Sequence, residues 1–95
     1  MTKHSDDSHE GTYQVLVERF VERRLPTLVD IRDRVEAGEL LSEGDIEILS
    51  RVIDQAQNFA ATAHEFPEAK PLIARVIDLY EHITERALQN EEQAG

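Results

Sequence analysis

Apolar side chains recur at helical spacing in three segments of this chain, and that spacing restricts it to an all-helical fold. In the first segment they follow a 3.6-residue period from Tyr13 to Val35 instead of alternating as in a strand. Residues 46–63 and 72–88 repeat the same pattern. Because only short connections separate the segments, we predict an all-α fold, an antiparallel up-down-up three-helix bundle.

A proline, Pro26, interrupts the first segment. Proline lacks a backbone N–H, and its ring clashes with the carbonyl four residues earlier, here that of Glu22. The apolar stripe nevertheless stays in phase from Phe20 through Leu28. We therefore predict one first helix kinked at Pro26, with two shorter helices as the alternative. Gly38 lies where a left-handed cap would end this helix.

The start and end of the second helix are marked by capping residues. Ser42 is a suitable N-cap, and Asp45 takes the position three residues later at which a side chain can bond back to the cap. The apolar pattern ends at Phe66-Pro67, because the residue before a proline is pushed to extended geometry. The third helix then starts between Pro67 and Pro71, since proline is tolerated in a first turn.

The 95 residues fit one domain. We expect a disordered acidic tail over residues 1–11, a single helical-bundle domain over residues 12–92 and a frayed C-terminus over residues 93–95, because the sequence turns polar from Gln89 onward. The polar N-terminus is typical of neither a secretory signal nor a transit peptide. No run approaches the roughly 18 apolar residues of a membrane span. These features favour a cytoplasmic protein with no membrane partner.

The charge balance argues against nucleic-acid binding. The formal net charge is −10, and the chain has no cysteine. An acidic chain repels phosphates unless one face is locally basic, and only the first helix offers a candidate, with Arg19 and Arg23 four residues apart and Arg24, Arg32 and Arg34 nearby. Acidic residues interleave with these arginines, which predicts a salt-bridged solvated face. Protein recognition by the arginines is the alternative.

The apolar stripes of the first and third helices are wider than contact with a single neighbouring helix requires. A helix that meets two neighbours in a bundle needs a broad stripe, which is one explanation. The other is that the surplus residues pack against a second copy or another protein, with a homodimer favoured because isologous packing is common. The candidate interaction surface on this second interpretation is Arg19, Arg23, Val21, Leu25, Val29, Ile77 and Leu88.

Three potential metal ligands, Asp78, His82 and Glu85, share one face of the third helix. The Glu-x-x-His unit of di-iron carboxylate bundles is absent, because the residue three before His82 is Leu79. The three ligands also trace the polar side of the helix. A solvated face with no cofactor is therefore the favoured interpretation. The sequence does not indicate an enzyme, because its spacing pairs no nucleophile with a base.

Short motifs give the chain a resemblance to known sequences. Arg24-Leu25-Pro26, Gly44-Asp45-Ile46, Phe66-Pro67-Glu68 and Leu79-Tyr80 resemble segments of a group of short bacterial all-helical proteins of uncharacterised function. The similarity spans about residues 13–92 and implies a bacterial origin without supplying an activity.

The sequence thus predicts a protein–protein interaction or regulatory module that acts as a homodimer. One alternative is an acidic regulator that occupies a basic site on a partner protein. Another is a carboxylate and histidine metal-binding bundle in which Asp78, His82 and Glu85 meet their counterparts between subunits.

The N-terminus carries one specific chemical prediction. If Met1 is removed, the chain starts Thr2-Lys3-His4, and the free amine, two backbone nitrogens and the imidazole form a square-planar nitrogen site for Cu(II) or Ni(II). Titration with Cu(II) should then produce a visible absorption band that disappears in His4→Ala. A band of the same shape and intensity in that variant would show that His4 is not a ligand.

Overall fold

A computed structural model describes residues 2–94 of the chain, and the side chains of residues 12–94. Within that range the fold is all-helical, with three α-helices and no strand, and is compatible with a three-helix bundle. The helices are α1 (Thr2–Glu36), α2 (Glu43–Thr62) and α3 (Lys70–Ala94). Two short 3-10 helices, Ala63–Glu65 and Pro67–Ala69, connect α2 to α3. The predicted disordered tail, residues 1–11, lies outside the residues whose side chains are described and stays a prediction.

Helix α1 is continuous through Pro26, so the alternative of two short helices does not occur. It ends in a Schellman motif, the turn in which two carbonyls of the last turn are capped by backbone N–H groups beyond the helix. The Gly38 N–H donates to the Val35 carbonyl at 3.0 Å, and the Glu39 N–H donates to the Arg34 carbonyl at 3.1 Å. Gly38 has a φ of 98°, which side-chain-bearing residues rarely adopt. The left-handed cap is confirmed.

Helix α2 begins with the predicted capping box. The Asp45 N–H donates to Ser42 Oγ at 3.1 Å, and the Ser42 N–H donates to the Asp45 carboxylate at 3.0 Å. At its other end, α2 stops at Thr62 and a 3-10 turn carries the chain to Phe66. Phe66 has a ψ of 70°, outside the helical region, as the following proline requires.

One core lies along the inner faces of all three helices. Its side chains are mainly β-branched or leucine, and none of them carries a charge. Burial of such side chains from water is the dominant stabilising contribution to a fold of this size. The side chains least exposed to solvent are Val17, Leu28, Ile31 and Val35 of α1, Val52 and Ala56 of α2, and Val76 and Ile83 of α3.

Polar contacts join the helices at defined points. The Tyr13 hydroxyl of α1 donates to the Phe59 carbonyl of α2 at 2.7 Å. Near the other end of α1, the Arg34 guanidinium donates two hydrogen bonds to the Asp45 carboxylate, at 2.8 and 3.0 Å. The first part of α1 therefore contacts the last part of α2, and the last part of α1 contacts the first part of α2.

Asn90 is a buried polar residue in the polar segment that follows Leu88. Helix α3 continues to Ala94, and Asn90 is only 4% exposed. Its amide nitrogen donates to the Val35 carbonyl at 2.7 Å and to the Glu39 carbonyl at 3.0 Å. The polar composition after Leu88 does not reveal that Asn90 is buried. An asparagine that donates to backbone carbonyls of another element has no distinctive pattern in its own segment.

No helix in the described part of the chain combines the length and the apolar character needed to cross a membrane.

Replacement of Asn90 should destabilise the fold. Asn90→Ala removes the hydrogen bonds that the amide donates to the Val35 and Glu39 carbonyls, which costs about 1–3 kcal/mol. The midpoint of urea unfolding should therefore fall relative to the wild type. The matched control is Gln89→Ala, because Gln89 is the exposed neighbour on the same helix turn and its loss should be close to neutral. Equal midpoints for the two variants would refute a structural role for Asn90.

Candidate functional site

A groove between α1 and α2 combines arginine side chains with an apolar floor. Its volume is about 300 Å³, at the small end of ligand sites in proteins and suited to one large side chain. Among the side chains that the structure describes, no carboxylate lines it, although the chain as a whole is strongly acidic. We call it the arginine groove. Its lining residues are Leu16, Arg19, Phe20, Arg23, Arg24, Gln55 and Phe59.

An aromatic cluster holds the floor of the arginine groove in place. Phe20 packs against Phe59 with ring centroids 5.3 Å apart, and Tyr13 meets Phe59 edge-on at 6.0 Å. Tyr13 also stacks on Phe66 at 4.2 Å. Such pairs contribute beyond the area that they bury. Phe66 lies in the α2–α3 connection, directly before Pro67. The position of Phe59 therefore depends on α1, on α2 and, through Tyr13, on that connection.

The rim of the groove is formed by guanidinium groups that have no hydrogen bond or ion pair with any residue whose side chain the structure describes. Arg19 and Arg23 are exposed and Arg24 is half-buried. Leu16 lies beside them, one turn before Arg19 and Phe20, and is 49% exposed. Positive charge and apolar surface are therefore available at one place to the same ligand.

The glutamates of this half of α1 form no ion pair with these arginines among the described side chains. Residues four apart are neighbours on a helix, and that spacing joins Arg19 to Arg23 and Glu18 to Glu22, like charge with like. Glu22 follows Arg19 by three residues, a spacing that permits an ion pair, but the two do not pair. Arg19 and Arg23 are exposed, as predicted for a solvated face, whereas the predicted salt bridges are absent among the described side chains of this half of α1.

The last turns of α1 show the opposite arrangement. Asp30 and Arg34 are four residues apart and form an ion pair at 3.3 Å, and Arg32 pairs with Asp33 at 3.1 Å. Arg34 also reaches the Asp45 carboxylate of α2. The salt-bridged face therefore exists, but it is confined to the C-terminal part of α1.

Asp45 is the one buried carboxylate among the residues whose side chains are described. Its hydrogen bond to Arg34 is the largest influence and lowers the pKa of the carboxyl to about 2. Burial opposes this, because it disfavours the charged form, and the hydrogen bonds from Ser42 reinforce it. The Arg34–Asp45 ion pair joins α1 to α2 and includes no residue of the arginine groove.

The predicted interaction surface is only partly available in the structure. Arg19, Arg23 and Leu88 are exposed. Val21 is not on the surface at all: it is 6% exposed and belongs to the core, because α1 turns it toward its neighbours.

The other predicted apolar residues lie at the edges of the core. Leu25, Val29 and Ile77 are half-buried, and Leu25 and Ile77 pack against it. Leu25 and Val29 line a second, shallower groove between α1 and α3, together with Arg32, Arg75, Asp78 and Leu79. The wide apolar stripes are thus used mainly inside the bundle, where each helix meets two others.

The predicted metal ligands do not converge. Asp78, His82 and Glu85 are all exposed on α3, and among the described side chains no group of three or more histidines and carboxylates is placed to hold a metal ion. His82 Nε2 instead lies 2.8 Å from a carboxylate oxygen of Glu36 on α1. The His4 side chain lies outside the described residues.

Sequence reasoning missed most of the groove. Arg24, Gln55 and the two phenylalanines were not among the predicted surface residues. A signal was available in the phase of α1, because positions 16, 19, 20, 23 and 24 follow the i, i+3, i+4 spacing of a single helix face. Gln55 and Phe59 have no comparable signal, since their contribution depends on how α2 docks.

No protein-family model matches the chain, and no curated protein or solved structure shows significant similarity to it.

The Asp45 ion pair predicts a loss of stability in acid. The pKa of Asp45 in the folded protein lies near 2, below its ordinary value of 3.8, so its contribution is complete above about pH 5 and declines as pH falls toward 2. At about 1.4 kcal/mol per pKa unit, the contribution is about 2 kcal/mol. Asp45→Asn should therefore lower the free energy of unfolding by about that amount at pH 7.

Urea unfolding of the wild type and Asp45→Asn between pH 7 and pH 2 measures this dependence. The difference between the two proteins should shrink as pH falls. Asp33→Asn is the control, because Asp33 forms an exposed ion pair within α1 and surface pairs contribute little. A difference that stays constant across the pH range would contradict the charge-based account of the junction.

Proposed function

We propose that the protein is a protein–protein interaction module that acts as a homodimer, with the arginine groove as its contact site. The observation that supports this most is the rim of Arg19, Arg23 and Arg24 without ion-pair partners among the described side chains, above the apolar floor of Phe20 and Phe59. Arginine and aromatic residues are enriched where interfaces derive most of their binding energy. A ligand for this groove combines a negative charge with an apolar side chain.

A helix of another protein meets those requirements better than a nucleic acid does. The apolar floor offers nothing to a phosphate backbone, and the net charge of −10 repels one. An acidic helix with one apolar side chain presents both features within a single turn. This chain has 20 acidic residues, so that a second copy supplies such surfaces itself, which favours self-association.

The order of the helix contacts supports the up-down-up topology. Tyr13 meets Phe59, and Arg34 meets Asp45, as expected if α1 and α2 run in opposite directions. Asn90, near the end of α3, contacts the end of α1, as expected if α3 runs in the same direction as α1. A kink at Pro26 would lie two residues after Arg24 and would set the angle of the arginine segment relative to the rest of α1.

The remaining parts of the proposal follow from the sequence. We assign no enzymatic activity and no cofactor, and we place the protein in the cytoplasm of a bacterium. The acidic-regulator alternative predicts a heterologous basic partner instead of a second copy. The metal-binding alternative requires Asp78, His82 and Glu85 to meet their counterparts across a subunit contact.

Neutralising the rim of the groove should weaken self-association. In the double variant Arg19→Gln with Arg23→Gln, the two exposed guanidiniums are replaced by uncharged amides. The dissociation constant should rise about tenfold, since the two charged contacts together are worth about 1.4 kcal/mol. Sedimentation velocity over a concentration series measures the constant. Raising the salt from about 0.05 M to 0.5 M should weaken the wild type in the same direction.

The matched control is Arg51→Gln with Lys70→Gln, which changes the net charge equally at two exposed positions outside the groove. Its dissociation constant should stay close to that of the wild type. Thermal unfolding of both double variants checks that the fold is intact. A wild type that remains monomeric at every concentration, or equal weakening by both double variants, would overturn the proposal.

A further inference from the structure

The last turns of α3 carry the most exposed of the large apolar side chains among the residues whose side chains are described. Leu88 is 57% exposed. It lies two residues before the buried Asn90, and residues two apart face opposite sides of a helix, so Leu88 points away from the contact that Asn90 makes with the end of α1.

Two glutamates lie beside Leu88. Glu91 and Glu92 are exposed, and neither has an ion pair with a side chain that the structure describes. They follow Leu88 by three and four residues, so all three share one face of α3. We call Leu88, Glu91 and Glu92 the acidic end patch.

The acidic end patch and the arginine groove are complementary in charge and in spacing. On α1, Arg19 and Arg23 are one helical turn apart beside the exposed Leu16. On α3, Leu88 and Glu92 are also one turn apart. Side chains at this spacing are about 5–6 Å apart at Cβ, so that one turn of α3 matches one turn of α1. The arginine groove supplies guanidinium groups, and the acidic end patch supplies carboxylates.

We infer that the acidic end patch of one copy docks in the arginine groove of a second copy, with Leu88 on the apolar floor and Glu91 and Glu92 against the guanidiniums. This inference rests on the proposed function and identifies the counterpart of its contact site. Burial of Leu88 removes from water an apolar side chain that is exposed in the single chain. Pairing the carboxylates with arginine neutralises charge on both surfaces.

The two surfaces differ and lie on different helices, the groove on α1 and α2 and the patch on α3, so one contact leaves a groove and a patch free. Two copies arranged antiparallel around a twofold axis satisfy both contacts at once and stop at a dimer. A head-to-tail arrangement would instead add further copies. The mass of the assembly distinguishes these arrangements, and the pairing of patch with groove is common to both.

A mixing experiment tests the pairing. The groove variant carries Arg19→Gln and Arg23→Gln, and the patch variant carries Leu88→Gln and Glu92→Gln. Each alone should bind itself about tenfold more weakly than the wild type does, whereas the two mixed should form a one-to-one heterodimer, because the groove variant keeps its patch and the patch variant keeps its groove. Sedimentation velocity with one variant fluorescently labelled measures each combination. Val15→Gln, an exposed apolar position that does not line the groove, is the control and should behave as the wild type does.

The outcomes separate the inference from the proposed function. Loss of self-association in the groove variant together with wild-type association of the patch variant would overturn the inference and leave the proposed function standing. Self-association unchanged in both variants, or absent in the wild type, would overturn both. Recovery of association only in the mixture supports both, since no single surface that binds its own copy produces that pattern.

Discussion

Two polar side chains, Asp45 and Asn90, link all three helices at the junction where α1 ends and α2 begins. One carboxylate, that of Asp45, caps the start of α2 through Ser42 and accepts two hydrogen bonds from Arg34 of α1. A buried carboxylate without these partners would be costly, because burial disfavours its charged form. The conformation of the turn between α1 and α2 therefore depends on the position of α1 relative to α2. Asn90 extends the same junction to α3 by bonding the carbonyls at the end of α1.

Much of this fold is predictable because its signals are local. The glycine cap at Gly38 and the capping box at Ser42 and Asp45 depend on backbone groups within a few residues, so short sequence patterns suffice. The positions of Arg34 and Asn90 depend on contacts with residues 11 and 55 positions away. No local pattern specifies such contacts, and the polar composition of the end of α3 gives no indication that Asn90 is buried.

The candidate surfaces were predictable in part for the same reason. Arg19, Arg23 and Leu88 are exposed as expected, whereas Val21 belongs to the core. Breadth of an apolar stripe does not by itself distinguish a bundle helix with two neighbours from a helix with an external partner. In the structure Leu88 is exposed, whereas Leu25 and Val29 are half-buried. Exposure of a side chain can be predicted only when the docking of the helices is known.

The arrangement of charge along the first half of α1 fits the proposed contact with an acidic surface. Arg19 with Arg23 and Glu18 with Glu22 are pairs of like charge four residues apart, and each such pair costs a few tenths of a kcal/mol. Asp30 and Arg34 of the same helix form an opposite-charge pair at that spacing. Under the proposed function, a docked acidic surface would offset the repulsion between the two arginines by an interaction between chains.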